Sequence, residues 1–235
     1  MNPDNLFSIL GTILGILFFF GAIGGGIYFV MNLRKGEPIH LPLRGMFRLY
    51  IYILLVVSLV LLSSGLGHLV RYGLASGFGY EFSYNPDHFE MDRDARFDSE
   101  GKPIPLTDEE ETQRREEGLV LAYKEGLFEV ISYSIVGGIL WIAHAYGRRK
   151  LETVEERTSS LVNRLYLILL LLIFGIATLA SLPSAAFEAV RYLVLGNDGS
   201  YRGQAPGGEL ATAIVSLPIW LAYLRGVIVT IRRSG

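Results

Sequence analysis

The chain contains no cysteine, and that absence excludes disulfides, thiolate zinc sites, iron–sulfur clusters and cysteine nucleophiles. Charged residues are also scarce, at 19% of 235 residues against about 25% in a typical soluble domain. Hydrophobic residues make up 51% of the chain, and the mean hydropathy is +0.38. These values argue against a soluble globular domain, a disordered chain and a nucleic-acid-binding protein.

Long stretches without charge predict that the chain crosses a membrane repeatedly. A helix needs about 20 apolar residues to span the hydrocarbon core. No charged residue lies between Asp4 and Arg34, and no Asp, Glu, Lys or Arg lies between Arg48 and Arg71. The first stretch reads as an uncleaved anchor, because its basic residues follow the apolar run. The predicted fold class is therefore all-α, a polytopic membrane protein with five transmembrane helices at about 6–32, 46–73, 122–147, 162–195 and 209–230.

The charges of the loops predict the orientation in the membrane. Segments 32–48, 148–164 and 225–235 carry twelve basic and four acidic residues, a net charge of +8. The rest of the chain carries −10, since the whole chain carries −2. Because positive loops stay cytoplasmic, we expect a multi-pass protein of the plasma membrane with its amino terminus outside and its carboxyl terminus in the cytoplasm.

An internal repeat divides the chain. The run that begins Arg48-Leu49-Tyr50 resembles the run that begins Arg164-Leu165-Tyr166, and the two Trp fall at equivalent places. The sequence thus predicts an N-terminal helix (1–33) followed by two helical hairpins (34–150 and 151–235) that form a four-helix bundle. The first hairpin carries an acidic extracytoplasmic insert at 75–121. Residues at the inner membrane surface are expected to anchor the spans there: Arg48, Trp141, Arg164 and Trp220.

With its R-L-Y openings, its W-x-x-H/Y endings and its two hairpins, the chain resembles an uncharacterised bacterial integral-membrane domain of unknown function. The resemblance covers roughly residues 44–233 and implies a bacterial membrane protein. It supplies no catalytic residues. The first helix and the acidic insert lie outside the shared pattern.

The insert carries thirteen acidic and five basic residues between Glu81 and Glu117. Aromatic residues at every second position from Phe78 to Tyr84 predict a strand, and its aromatic face is expected to pack either on the helix ends or on a partner. Thr107-Asp108-Glu109-Glu110 predicts a capping box and a helix that runs into the third span. The acids between Asp92 and Glu100 do not fit an EF-hand, because Pro103 stands where the bidentate Glu belongs.

Ionisable side chains within spans are functional candidates. The repeat aligns His68 with Glu188 and Arg71 with Arg191. We expect these four residues and Glu129 to form a polar patch at the outer mouth of the bundle, or else to pair locally at the membrane surface. No metal site and no cofactor is expected, because His68 and His144 lie at opposite ends of their spans and cannot ligate one haem iron.

No hydrolase nucleophile elbow, P-loop or zincin helix occurs in the sequence, so an enzyme is not expected. The first helix carries Gly11, Gly15, Gly21 and Gly25 in pairs four residues apart, a spacing that permits close helix packing. The predicted function is a non-catalytic accessory or scaffolding subunit, or a homo-oligomer. Its expected partners are the lipid bilayer and a protein bound through the first helix and the outer loop. The alternative is a small transporter or channel that uses the groove between the hairpins.

Overall fold

A computed structural model of the chain describes residues 43–84, 107–195 and 205–234. All secondary structure in these ranges is helical, and four of the helices are long and apolar enough to cross a membrane. The predicted first span at 6–32, with the paired glycines Gly11, Gly15, Gly21 and Gly25, lies outside the described residues, as do the acids between Asp92 and Glu100. The helices are α1 (Leu43–Phe78), α2 (Tyr80–Ser83), α3 (Asp108–Leu151), α4 (Val154–Ser159), α5 (Leu161–Leu195) and α6 (Pro206–Ser234).

The four long helices form two hairpins that meet along α1. Helix α3 packs along α1, and α6 packs along α5. Helix α1 also packs against α6, with a smaller contact to α5. We call the end that holds Arg71 and Ser83 the cap end, and the end that holds Arg48 and Glu152 the linker end.

Close packing in the first hairpin depends on glycine. A Cβ atom at Gly137 of α3 would overlap the backbone of Leu62 of α1, and one at Gly65 would overlap Ser134. Small residues at such positions let two helix backbones approach, which is a common basis of helix association in membranes. The close distance between α1 and α3 therefore depends on Gly65 and Gly137, which have no Cβ atom.

The start of α3 confirms the predicted capping box. The Thr107 side chain accepts from the backbone N–H of Glu110 at 3.3 Å, and the Thr107 N–H donates to the Glu110 carboxylate at 3.1 Å. Two N–H groups that lack helical partners are thereby satisfied. Thr153 and Glu156 form a second capping box at α4, which connects the two hairpins.

The predicted strand from Phe78 to Tyr84 is wrong. Helix α1 continues to Phe78, Gly79 turns the chain at φ 96°, and Tyr80–Ser83 form the short helix α2. The Tyr84 N–H donates to the Tyr80 carbonyl at 2.8 Å, so the backbone bonds locally. Of the four alternating aromatics, Phe82 and Tyr84 are buried against the ends of the long helices, whereas Phe78 and Tyr80 are exposed.

Candidate functional site

A cavity lies between α1, α5 and α6 in the cap half of the bundle. It extends from Arg71 and Gly208 at the cap end to Val60 and Ile173 in the middle of their helices. Its volume is about 90 Å³, and it is partly open to the outside of the bundle. The polar side chains that line it are Ser63, Ser64, His68, Arg71, Thr212 and Ser216.

His68 is the most deeply buried ionisable side chain of this lining, with 8% of its surface exposed. Its Nδ1 lies 2.9 Å from Oε2 of Glu129, and its ring stacks on Tyr133 with the centroids 5.8 Å apart. Glu129 and Tyr133 lie one turn apart on α3 and so meet the same ring. The first hairpin therefore orients His68, while the ring lines a cavity shared with the second hairpin.

Arg71 holds the cap end together. Its Nε donates to the Ser83 carbonyl at 2.7 Å, and its guanidinium lies 4.4 Å from the centroid of the Tyr84 ring. Burial raises the pKa of the Tyr84 hydroxyl, and the Arg71 charge opposes that rise. Gly207, at the start of α6, packs directly on Ser83. The Arg71 side chain thus links α1 to the short helix α2 at the mouth of the cavity.

The cavity ends at mid-depth. Thr178 and Ser216 are fully buried, with their hydroxyl oxygens 2.9 Å apart, and Thr178 also donates to the Phe174 carbonyl. Beyond them lies an apolar core that includes Leu55, Leu170 and Phe174. Leu170 has no exposed surface. In the described residues, the linker half is consequently filled.

A buried ionic network closes the linker end. The Glu152 side chain is 1% exposed and accepts from Arg48 Nε at 2.8 Å, Tyr52 hydroxyl at 2.9 Å and Arg148 Nε at 3.3 Å. Arg148 also donates to Asn163 of α5 at 2.8 Å and lies over the Tyr52 ring. The carboxylate and its partners therefore join α1, α3 and α5.

Outside this network, Arg44 donates to the Leu151 carbonyl at 3.1 Å and to Glu156 at 3.3 Å. The backbone N–H of Thr153 lowers the pKa of Glu156, and Arg44 and Arg48 lower it further. The linker between the hairpins is thus held to the start of α1 by charge as well as by its cap.

The structure brings together part of the predicted outer patch. His68 meets Glu129, and Arg71 lines the same cavity as His68. Glu188 is not among the residues that line this cavity, and it lies 4.0 Å from Arg191, three residues along α5. His68, Arg71 and Glu129 thus lie at the cavity, and Glu188 lies beside Arg191 on α5.

The four residues that were predicted to anchor the spans at the inner membrane surface have different environments. Arg48 belongs to the Glu152 network, whereas Arg164 is exposed. Trp141 and Trp220 are half-buried against the apolar core of the linker half. The Trp141 Nε1–H is buried without a hydrogen-bond acceptor among the described residues. Both Trp residues thus contribute to packing inside the bundle.

The residues that complete the network at the linker end and the cavity were not predicted from the sequence. At the linker end these are Tyr52, Arg148, Glu152 and Asn163, and in the cavity they are the hydroxyls of α1 and α6. Glu152 is separated from Arg48 by 104 residues, so no local pattern joins them. The position of Glu152 in a basic loop was the only indication of this network in the sequence.

Among the described residues, no group of three or more His, Asp or Glu side chains is placed to hold a metal ion. Comparison of the chain with family models, with curated proteins and with solved structures gave no match.

Proposed function

We propose that the chain is a non-catalytic integral membrane protein that acts through helix packing, as an accessory or scaffolding subunit or as a homo-oligomer. The observation that carries this proposal is the filled linker half. The cavity ends against Val60, Ile173 and Phe174, and the apolar core around Leu55 and Leu170 lies beyond them. Within residues 43–84, 107–195 and 205–234 this apolar core interrupts any polar path through the bundle, which favours function at the surface.

The exposed face of α3 is one such surface. Phe128, Ile135 and Ile142 recur every seven residues and are 70%, 54% and 64% exposed. A seven-residue repeat of apolar side chains is the pattern of a helix–helix seam, although lipid also covers such a face. The predicted first helix, with the paired glycines Gly11, Gly15, Gly21 and Gly25, and the acidic loop are the further contact regions that we propose from the sequence.

Disulfide crosslinking tests self-association. Because the chain has no native cysteine, any disulfide involves the introduced residue. Ile135→Cys on α3 is compared with Leu172→Cys on the exposed face of α5. A homo-oligomer joined through α3 predicts a disulfide-linked dimer for Ile135→Cys only. Native mass spectrometry from mild detergent then identifies other partners. A lone monomer with transport activity contradicts the proposal.

We further propose a bacterial plasma membrane location with the cap end outside. The supporting observation is the +8 charge of the loops at the other end. A membrane-impermeant thiol reagent applied to intact cells is expected to label Thr107→Cys and to spare Lys150→Cys. Labelling of Lys150→Cys alone reverses the orientation.

A small transporter or channel is the second candidate, favoured by the cavity between the hairpins, which several hydroxyl groups and two ionisable side chains line. Transport through this groove requires the linker half to open, and the Glu152 network would then act as the closed gate. Flux into proteoliposomes that rises in Glu152→Ala supports this candidate. If the flux into proteoliposomes equals the flux into protein-free liposomes, the transporter or channel candidate is wrong.

A further inference from the structure

We propose that the linker end of α3 binds an anionic phospholipid on the side of the helix that faces away from α1. The phosphate lies against two basic side chains, and an acyl chain runs along two isoleucines. The inference goes beyond the proposed function, because it assigns a lipid of stated charge to one part of the surface and does not depend on self-association. We call this part the lipid face, and it consists of Ile139, Ile142, Tyr146, Arg149 and Lys150.

The five residues of the lipid face lie on one side of α3. They follow one another at steps of three or four residues, and residues at that spacing in a helix are neighbours on its surface. Ile139, Ile142 and Tyr146 are 63%, 64% and 61% exposed. Arg149 and Lys150 are exposed as well. An apolar surface thus leads directly to two basic side chains.

The three consecutive basic residues in the last turn of α3 have different neighbours. Arg148 belongs to the bundle, where it pairs with the buried Glu152 and donates to Asn163 of α5. In the part of the chain that the structure describes, no carboxylate lies within 4.0 Å of a side-chain nitrogen of Arg149 or Lys150. Two of the three charges are therefore available to a ligand outside the bundle.

The acids of the linker do not offset these two charges. Glu152 and Glu156 are shared among three arginines of the bundle. Glu155 is exposed, so water and salt screen its charge. The loops at this end carry a net charge of +8. This surplus favours an anionic partner over a neutral one.

The order of residues along α3 matches the order of groups in a phospholipid. Tyr residues favour the boundary between the hydrocarbon and the headgroups, and the Lys150 ammonium lies 5.6 Å from the centroid of the Tyr146 ring. Arg binds phosphate in a bidentate manner, and Lys binds it as a point charge. The rise from Ile139 to Lys150 is about 16 Å at about 1.5 Å per residue, close to half of the roughly 30 Å hydrocarbon core. One lipid therefore meets apolar, aromatic and basic side chains in turn.

The helix dipole gives an alternative reason for basic residues here. The carboxyl-terminal end of a helix is negative and favours basic side chains in the last turn. That role needs no ligand, and it predicts no preference between an anionic and a zwitterionic lipid. Lipid preference therefore separates the two explanations.

The experiment is native mass spectrometry of the full chain in a mild detergent. Dioleoyl phosphatidylglycerol and dioleoyl phosphatidylcholine are added at equal concentrations, because they share their acyl chains and differ in net charge. One Lys or Arg beside an anionic headgroup contributes about fivefold in affinity. The unchanged chain is therefore expected to bind phosphatidylglycerol about tenfold more tightly than phosphatidylcholine, or better.

Exposed basic residues supply the variants. Arg149→Gln and Lys150→Gln are each expected to lower the affinity for phosphatidylglycerol by about threefold to fivefold, and the double variant is expected to bind both lipids alike. Arg149→Lys keeps the charge and is expected to keep the preference, which separates a lost charge from a changed fold.

Arg164→Gln on α5 is the matched control. Arg164 is also exposed, and among the described residues no carboxylate lies within 4.0 Å of its guanidinium. Its replacement removes the same charge from the same end of the bundle. It is expected to change the affinity for phosphatidylglycerol by less than about twofold, since a distant surface charge contributes little.

Three results overturn the proposal. The first is equal binding of phosphatidylglycerol and phosphatidylcholine by the unchanged chain. The second is an equal loss of affinity in Arg164→Gln and Arg149→Gln, which assigns the binding to net charge alone. The third is an adduct with glycerol 3-phosphate that is as stable as the phosphatidylglycerol adduct, which shows that Ile139 and Ile142 contribute nothing.

Discussion

Removal of the Glu152 carboxylate tests whether the network at the linker end stabilises the bundle. Glu152→Ala leaves Arg48, Arg148 and Tyr52 without their common acceptor. Loss of one partner of a buried ion pair costs about 3–5 kcal/mol, because the remaining charge stays buried and uncompensated. The side chains of Arg48 and Arg148 are 18% and 20% exposed, so water compensates in part. We therefore take the lower end, about 3 kcal/mol.

That free energy corresponds to a measurable shift. For a chain of this length, 1 kcal/mol lowers the unfolding midpoint by about 2–4 °C. Glu152→Ala is thus expected to unfold about 6–12 °C below the unchanged chain when the two Trp are followed by fluorescence in detergent. Glu155→Ala, an exposed acid in the same linker, is the control, and its free energy of unfolding is expected to change by less than about 0.5 kcal/mol.

The double variant Arg48→Met with Glu152→Met separates coupling from packing. It removes both charges and is expected to cost less than the sum of the single changes, because neither charge is left alone. Equal midpoints for Glu152→Ala and Glu155→Ala would refute the assignment of stability to this network.

Three further changes test separate features. Gly137→Val is expected to disrupt the α1–α3 seam and abolish folded protein in size-exclusion chromatography, whereas Gly138→Ala, with the nearest atom at 3.8 Å, is expected to fold normally. Thr107→Ala is expected to cost the N-terminus of α3 about 1 kcal/mol and to speed limited proteolysis there, while an unchanged cleavage rate would show that the cap is dispensable. The pKa of Glu156 lies below its ordinary value of 4.5, so its stabilising contribution is complete above pH 4.5 and lost as the pH falls through the lowered value. Glu156→Gln is expected to flatten the acid limb of the midpoint profile, and a parallel profile would contradict this.

Features that depend on neighbouring residues were predictable from the sequence. The capping box at Thr107 follows from four adjacent residues, and the apolar runs of the described residues lie within four long helices. The strand prediction failed although its evidence was local. An aromatic at every second position fits a strand, but Gly79 permits a turn that places Phe82 and Tyr84 against the helix ends instead. Tertiary burial overrode the local pattern there.

The sites were less predictable, because their partners are distant in the sequence. The sequence predicts that Arg48 is a membrane-surface anchor, whereas in the structure Arg48 pairs with Glu152. His68 reads as the counterpart of Glu188, yet its close contact is Glu129 on α3. A sequence pattern identifies which polar residues lie near the ends of spans, and only packing decides which of them meet.

The surroundings of the aligned residues show where the two hairpins differ. Tyr166 is 7% exposed and its hydroxyl lies 3.1 Å from that of Tyr223, whereas the aligned Tyr50 is 53% exposed. Helix α1 packs against α3, α6 and α5, while α5 packs chiefly against α6. Aligned positions of the two hairpins therefore meet different neighbours, and at this pair the residue of α5 is the buried one. The same difference in neighbours applies at the cap end, where His68 and Arg71 line the cavity and the aligned Glu188 and Arg191 are not among its lining residues.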